Sequence, residues 1–313
     1  TAILGSWEMS KGKIALAVLA ALVLVLGGAY YWYAVESHVP DDPQFSLDMS
    51  KVRAAANAAP GPKPEEIRVE HVGSLAFPGA AVISGGEWGM RRMAVYSYQV
   101  VYPDGHVVID TAADPSVAEE QGATEASYDA YERMQTAMES ATHIVITHEH
   151  MDHIGGIAAR DDLAPLRPQL KLTEEQLSDP AYMEPASFKE GMLEGYEPIS
   201  YDSIYALAPG MALIKAPGHT PGSQMVFIQL ADGTEYLVIG DIAWHFDSVQ
   251  TMKARPRFVS YAFLNENRDM VHWELAELKR LSEEEPGIIL IPGHDGAVVE
   301  GYAEEGKLAW EFK

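Results

Sequence analysis

The chain has no cysteine in its 313 residues. That removes a disulfide scaffold, a thiol nucleophile, a thiolate metal site and a cysteine-held iron–sulfur cluster. It leaves the redox compartment open, because a chain without thiols is indifferent to it. Basic residues are scarce: 22 Lys and Arg stand against 46 Asp and Glu, a formal net charge of −24. Nucleic-acid binding needs a basic footprint to meet phosphates, and docking of a folded domain on anionic lipid needs the same, so neither is expected. The sequence contains no G-x-S-x-G elbow, no Walker loop and no solenoid-type repeat. With 47% hydrophobic and 22% charged residues it has the composition of a folded protein. Its length allows one large domain or two modest ones.

One long apolar run is present. Residues Ile14 to Val35 carry no charge, and as a helix they are long enough to cross a hydrocarbon layer of ~30 Å. Lys11 and Lys13 precede the run and Glu36 follows it, so residues 1–13 are expected to stay cytoplasmic. Tyr30, Tyr31, Trp32 and Tyr33 cluster at the far end, where an aromatic belt would lie. Residues 14–35 therefore read as a transmembrane anchor, with the rest of the chain outside the cytoplasm on the periplasmic side. The alternative is a cleaved signal, which would release a secreted protein. Met9-Ser-Lys-Gly-Lys reads as a start, which makes residues 1–8 an extension. The acidity lies beyond the run, since the first 35 residues hold only Glu8, Lys11 and Lys13.

Prolines at 40, 43, 60, 62 and 64 mark residues 36–64 as a tether with one short helical stretch near Ser46–Ala59. Residues 65–313 are patterned as a globular domain. Strand-like runs occur at Met93–Tyr102, His106–Thr111, His143–Thr147, Met211–Ala216, Gln224–Leu230, Glu235–Ile239 and Ile288–Ile291. Helical spacing occurs at Thr124–Ser140 and Asn265–Glu284, the latter with a core stripe of Met270, Trp273, Leu275, Leu278 and Leu281. The alternation of strands and helices predicts an α/β layered domain. Residues 160–200 are rich in Pro, Met, aromatics and acids without a period, and read as a lid insertion.

The richest stretch is His143-Ile-Val-Ile-Thr-His148-Glu-His150-Met-Asp152-His153-Ile-Gly155-Gly156. An apolar strand ends, and His148, His150, Asp152 and His153 follow within six residues. Burying that many polar groups unpaired would be costly, so a shared metal is the economical reading. Gly155 and Gly156, lacking a Cβ, are expected to let the backbone approach the metal or its substrate. Three later strands end the same way: Leu213-Ile-Lys-Ala-Pro-Gly-His219, Tyr236-Leu-Val-Ile-Gly-Asp241 and Ile288-Ile-Leu-Ile-Pro-Gly-His294. Strand ends are where layered α/β architectures assemble their sites.

This pattern resembles the metallo-β-lactamase superfamily, whose HxHxDH signature stands here as His148-x-His150-x-Asp152-His153. The resemblance spans roughly residues 67–300 and implies an αββα sandwich with metals at one edge. It implies one metal on His148, His150 and His219, a second on Asp152, His153 and His294, and Asp241 bridging them. Asp110 resembles the family's early strand-end Asp, which buttresses the ligand loop. His and carboxylate ligands suit two Zn²⁺, with iron or manganese as alternatives.

Two such metals would hold a bridging hydroxide as nucleophile, with Asp152 or Asp241 shuttling the proton to the leaving group. Cysteine-containing β-lactamases carry Cys at the position of Asp241. Glyoxalase II-like members carry a further helical domain after the last His, and only 19 residues follow His294 here. Lactonase-like and arylesterase-like members remain. The expected activity is hydrolysis of a small-molecule ester-like bond, a lactone or carboxylic ester first. Organophosphates, β-lactams and an iron-dependent persulfide-dioxygenase-like reaction are the alternatives. Family lactonases place a Tyr three residues after the bridging Asp; here it is Trp244, whose indole is a donor only. Trp244, His245, Trp88 and Phe188 are the expected substrate contacts.

Overall fold

The computed structural model describes residues 10–313. The expected start at Met9 and the extension before it lie outside the described residues. In chain order the elements are α1 (Lys11–Tyr30), α2 (Met49–Ala56), β1 (Glu66–Pro78), α3 (Gly79–Val82), β2 (Met90–Tyr102), β3 (Gly105–Ile109), α4 (Pro115–Glu120) and α5 (Tyr128–Ser140). There follow β4 (His143–Val145), α6 (Met151–Ala158), β5 (Ile204–Ala208), β6 (Met211–Lys215), β7 (Gln224–Gln229) and β8 (Glu235–Gly240). The chain ends with α7 (Phe246–Thr251), α8 (Arg257–Val259), α9 (Arg268–Glu284), β9 (Ile288–Pro292), α10 (Gly296–Glu304) and β10 (Ala309–Trp310).

Two five-stranded sheets, ordered β10-β1-β2-β3-β4 and β5-β6-β7-β8-β9, pack face to face. Strand periodicity sorts the side chains. Val107 and Ile109 point between the sheets with Tyr98, Leu213, Val226 and Val238, while Val108 faces outward onto Met134 and Met138 of α5. On the other outer face, Ile214, Phe227 and Leu237 meet Val271, Leu275 and Leu278 of α9. Both faces of each sheet are covered, which is why the strands read as continuous apolar runs. The result is the αββα layering expected from the sequence.

Topology places the site. β3 runs parallel to β4, and β8 runs parallel to β9. Their C-terminal ends open at one edge of the sandwich and deliver Asp110, the His148 loop, Asp241 and His294 side by side.

Three expectations about the elements change. Residues 36–64 do not hang as a tether. Leu47, Met49, Val52 and Ala56 are buried in the core under α9, and Asp48 caps α2 by accepting from the Ser50 and Lys51 amides. The flanking prolines mark turns at the ends of a packed segment, not a free linker. The α9 stripe is Val271, Leu275, Leu278 and Leu281, whereas Trp273 turns out to donate its Nε1–H to the Pro40 carbonyl at 3.0 Å. β1, thirteen residues long, is not among the expected strands, because His71, Gly73 and Ser74 interrupt its apolar alternation at a bulge. Val52→Asp is expected to destabilise the domain by about 3 kcal/mol in urea unfolding, because it buries a carboxylate in an apolar cluster. A stability equal to wild type would return α2 to the role of tether.

Candidate metal centre

Each candidate ligand lies in the loop or helical turn that follows a strand. After β4 the chain turns through Thr147 to His148 and His150, and His150 begins α6, whose first turn carries Asp152 and His153. His219 follows β6, Asp241 follows β8, and His294 follows β9. The side chains fall into two groups. His148, His150, His219 and Asp241 converge in one, and Asp152, His153 and His294 in the other, with ligand atoms inside each group within 4.8 Å of one another. Asp241 lies between the groups. Its Oδ2 is 3.5 Å from His219 Nε2 and 3.1 Å from His294 Nε2, and its Oδ1 is 3.5 Å from His153 Nε2.

The donor set fits divalent cations. His150 Nδ1 lies 3.1 Å from His148 Nε2 and 2.9 Å from His219 Nε2, so three imidazole nitrogens point at one small space. His153 Nε2 and Asp241 Oδ1 are buried without any hydrogen-bond partner, the condition expected of atoms that coordinate a metal. The far ring nitrogens are anchored, which fixes which nitrogen faces inward. His153 Nδ1 is 2.8 Å from Asp110 Oδ2, His294 Nδ1 is 2.9 Å from the Ala94 carbonyl, and His219 Nδ1 is 2.7 Å from Glu266 Oε1. Asp110 also accepts the Thr147 amide (2.6 Å) and hydroxyl (2.8 Å), bracing the ligand loop.

Burial pushes His148 well down and His150 to about 3, leaving their lone pairs free. Burial and the Arg255 charge lower His219. In the second group the balance reverses. Against the cost of burial, Asp152, Asp110 and Asp241 hold His153 at about 10, and Asp241 and Asp152 raise His294. Metal and protons compete for these nitrogens.

Three buried carboxylates that the sequence did not single out clamp the His219 loop. Glu274 accepts the Gly218 amide at 3.0 Å, Glu266 takes His219 Nδ1, and Glu149 accepts the Thr220 hydroxyl and the Gly222 amide. Arg255 neutralises Glu266 at 2.7 Å, and against burial Arg255 and His219 hold that carboxyl at about 2. The one available signal was Glu149, wedged between two ligand histidines. Glu266 and Glu274 lie on a distant segment with nothing in their local pattern to mark them.

Gly155 and Gly156 serve a different purpose from the one expected. A Cβ on Gly156 would lie 2.1 Å from the Thr111 carbonyl oxygen, and one on Gly155 would lie 3.0 Å from that of Ala112. They let α6 press against the loop after β3, not against the metals or a substrate.

A cavity of about 620 Å³ opens above the ligands. Leu75, Phe77, Met93, Trp244 and Leu264 give it apolar walls, and Asp179, Tyr182 and Glu184 contribute from the 160–200 segment. His150, Asp152, Asp241 and His294 form its floor. The four expected substrate contacts separate. Trp244 lines the cavity with its ring, stacked on Phe77 at 6.2 Å, but its Nε1–H is spent on Asp241 Oδ2 at 2.6 Å. His245 faces away, its Nε2 3.1 Å from the Arg92 carbonyl oxygen. Phe188 packs into the core beneath α6 with Met183 and Leu193. Trp88 stands 73% exposed, outside the cavity. Aromatic identity alone could not say which of core, cavity or surface each side chain would face.

The description "Metallo-beta-lactamase superfamily" belongs to the family model that matches residues 90–294. N-acyl homoserine lactonase AiiA of Bacillus thuringiensis subsp. kurstaki is 22% identical over 222 residues, covering 66% of this chain and 83% of that protein. A solved quorum-quenching N-acyl homoserine lactone lactonase superposes with a TM-score of 0.60 at 19% identity, over 75% of this chain and 94% of that one. An N-acyl homoserine lactone hydrolase holding N-hexanoyl-L-homoserine at its catalytic metal centre gives 0.61 at 18%, over 76% and 96%.

Proposed function

We propose that this chain, which belongs to the metallo-beta-lactamase superfamily and is a metal-dependent hydrolase, uses two zinc ions to open lactones or cleave carboxylic esters. The observation that carries the reading is the pair of ligand groups sharing Asp241 on the floor of an apolar-walled cavity. His148, His150 and His219 would hold one ion, Asp152, His153 and His294 the other, and Asp241 both. Two such ions supply a nucleophilic water at neutral pH and polarise the substrate carbonyl. Lactonase relatives align with this chain over 222 residues, and a His and carboxylate set without thiolate suits zinc.

The chain's own residues do the rest. Leu75, Phe77 and the Trp244 ring offer apolar contact to an acyl group. Trp244 donates to Asp241 and so orients that carboxylate, which removes its N–H from substrate recognition. The Tyr182 hydroxyl sits on the cavity wall beside Asn265, and burial raises its pKa, so it stays a donor at neutral pH. Asp152, its side chain 18% exposed and part of the cavity floor, is placed to carry a proton to the leaving alkoxide. Asp179 and Glu184 at the wall favour a neutral substrate over an anionic one and repel the carboxylate product.

The test is metal content by mass spectrometry together with turnover of N-acyl homoserine lactones. Two zinc per chain, hydrolysis abolished by a chelator and restored by zinc, is the expected result. A single iron per chain, with oxygen consumed on a thiol or persulfide substrate, would sink the proposal.

A further inference from the structure

α1 is 20 residues long, about the 30 Å of a hydrocarbon core, and none of its side chains is buried. Its C-terminal end is tied into the domain. The Ala34 carbonyl accepts the Gly85 amide at 2.9 Å, and the Arg257 guanidinium lies 4.0 Å above the Trp32 ring. Arg257 also pairs with Glu36, Arg268 donates to the Glu36 carbonyl at 2.8 Å, and Ser37 Oγ accepts the Ala254 amide at 3.1 Å. Two segments therefore border the helix end: the turn through Gly85 that leads into β2, and the stretch from Ala254 through α8 to Leu264.

Those two segments carry an exposed apolar rim. Trp88 and Met90 are on the first, and Phe258, Tyr261 and Phe263 on the second. Beyond residue 36, only Tyr128 and Trp310 among the exposed large hydrophobic side chains fall outside these segments, apart from Phe77 on the strand paired with the start of β2 and Met252 just before Ala254. The rim also reaches the cavity, because Phe77, Phe263 and Leu264 line it. Exposed aromatics next to an apolar helix end are what a bilayer interface stabilises, while water leaves them as an unpartnered patch. The domain is acidic, so insertion of apolar side chains, not charge attraction, would hold this face down.

We propose that the rim of Trp88, Met90, Phe258, Tyr261 and Phe263 rests in the surface of the bilayer that α1 crosses, and that the cavity takes long-acyl lactones or esters dissolved in that bilayer. The substrate half of this rests on the lactone and ester reading of the site. α1 is then a permanent part of the enzyme: it sets the height and orientation of the cavity mouth over the lipid. A long acyl chain leaves the bilayer along Phe263 and Leu264 and reaches the ligands without crossing water, which saves the cost of exposing its methylenes.

The absence of cysteine makes a direct test simple. The full chain is prepared as Trp88→Cys, Phe263→Cys or Asp232→Cys, spin-labelled, and placed in phosphatidylcholine vesicles. Asp232 is the control, in the turn between β7 and β8 at the end of the sandwich opposite Asp241. Labels at 88 and 263 are expected to collide with oxygen in the lipid and to be shielded from a water-soluble nickel chelate, with the reverse at 232. Labels at 88 and 263 that behave like the one at 232 overturn the assignment of the rim, as does mobility that falls only with protein concentration, the mark of a second copy of this chain. In the same vesicles, Met90→Ser with Tyr261→Ser is expected to lower kcat/KM on a long-acyl lactone about tenfold and to leave a short, water-soluble lactone unchanged. Equal loss on both substrates overturns delivery from the bilayer. No hydrolysis of any lactone by the wild-type chain, with labels buried in lipid, overturns the lactone reading and leaves the rim assignment standing.

Discussion

Asp241→Asn is expected to keep its fold, lose hydrolysis by about a thousandfold, and retain well under its full complement of metal. The substitution preserves shape, and the Trp244 indole still has an oxygen to donate to. What it removes is one negative charge facing His148, His153, His219 and His294 at once. The carboxyl is fully buried, and against that burial His294, His153 and His148 hold its pKa well below the usual range, so it is charged throughout the working pH range. Its side chain is only 3% exposed, so solvent does little to replace the lost charge. Metal content by mass spectrometry and kcat/KM on the same preparation separate loss of metal from loss of chemistry. Wild-type activity in this variant would sink the shared-carboxylate arrangement.

Glu266→Gln should cost about 3–5 kcal/mol of stability and weaken metal binding by about 10–100-fold, although Glu266 is no ligand. Its side chain and that of Arg255 are both buried, and each is the other's counter-charge. The amide leaves Arg255 buried without its counter-charge, which accounts for the stability loss. It also gives the His219 Nδ1–H a neutral acceptor in place of a carboxylate, which weakens the ring as a ligand. The two consequences can be separated. Adding Arg255→Met to Glu266→Gln removes the stranded charge and should recover most of the stability in urea unfolding. Zinc affinity, read by competition with a chelating dye, should stay weak. Recovery of both would make Glu266 a structural residue with no hold on His219.

The sequence marked the seven candidate ligands because their chemistry forces density: an apolar run, a sharp stop, then His or Asp. Four such stops could only be strand ends, and strands buried on both faces announce themselves by continuous apolar residues. The family resemblance rested on those same positions. α2 was harder to place, since a short helix among prolines carries the same local pattern whether it docks or drifts. Only the apolar surface of α9 decided that it docks. Trp88, Phe188, Trp244 and His245 show the same limit. Their identities were plain, but their directions depended on backbone turns set elsewhere.

The sequence by itself therefore determined an α/β layered domain, the cluster of candidate ligands and the apolar helix at the N-terminus, because each rests on local periodicity or on residue type at a strand end; the αββα order of the layers came only from the family resemblance. Asp110 aside, tertiary structure alone decided which groups support the candidate ligands and which face carries the aromatics. Glu266 meets His219 across 47 residues, and the rim gathers Trp88 and Phe263 from segments far apart in the chain. Contacts of that kind leave no periodic trace, since nothing in the intervening residues must vary with them. They arise only when strand order and crossover direction bring distant loops to the same edge of the sandwich.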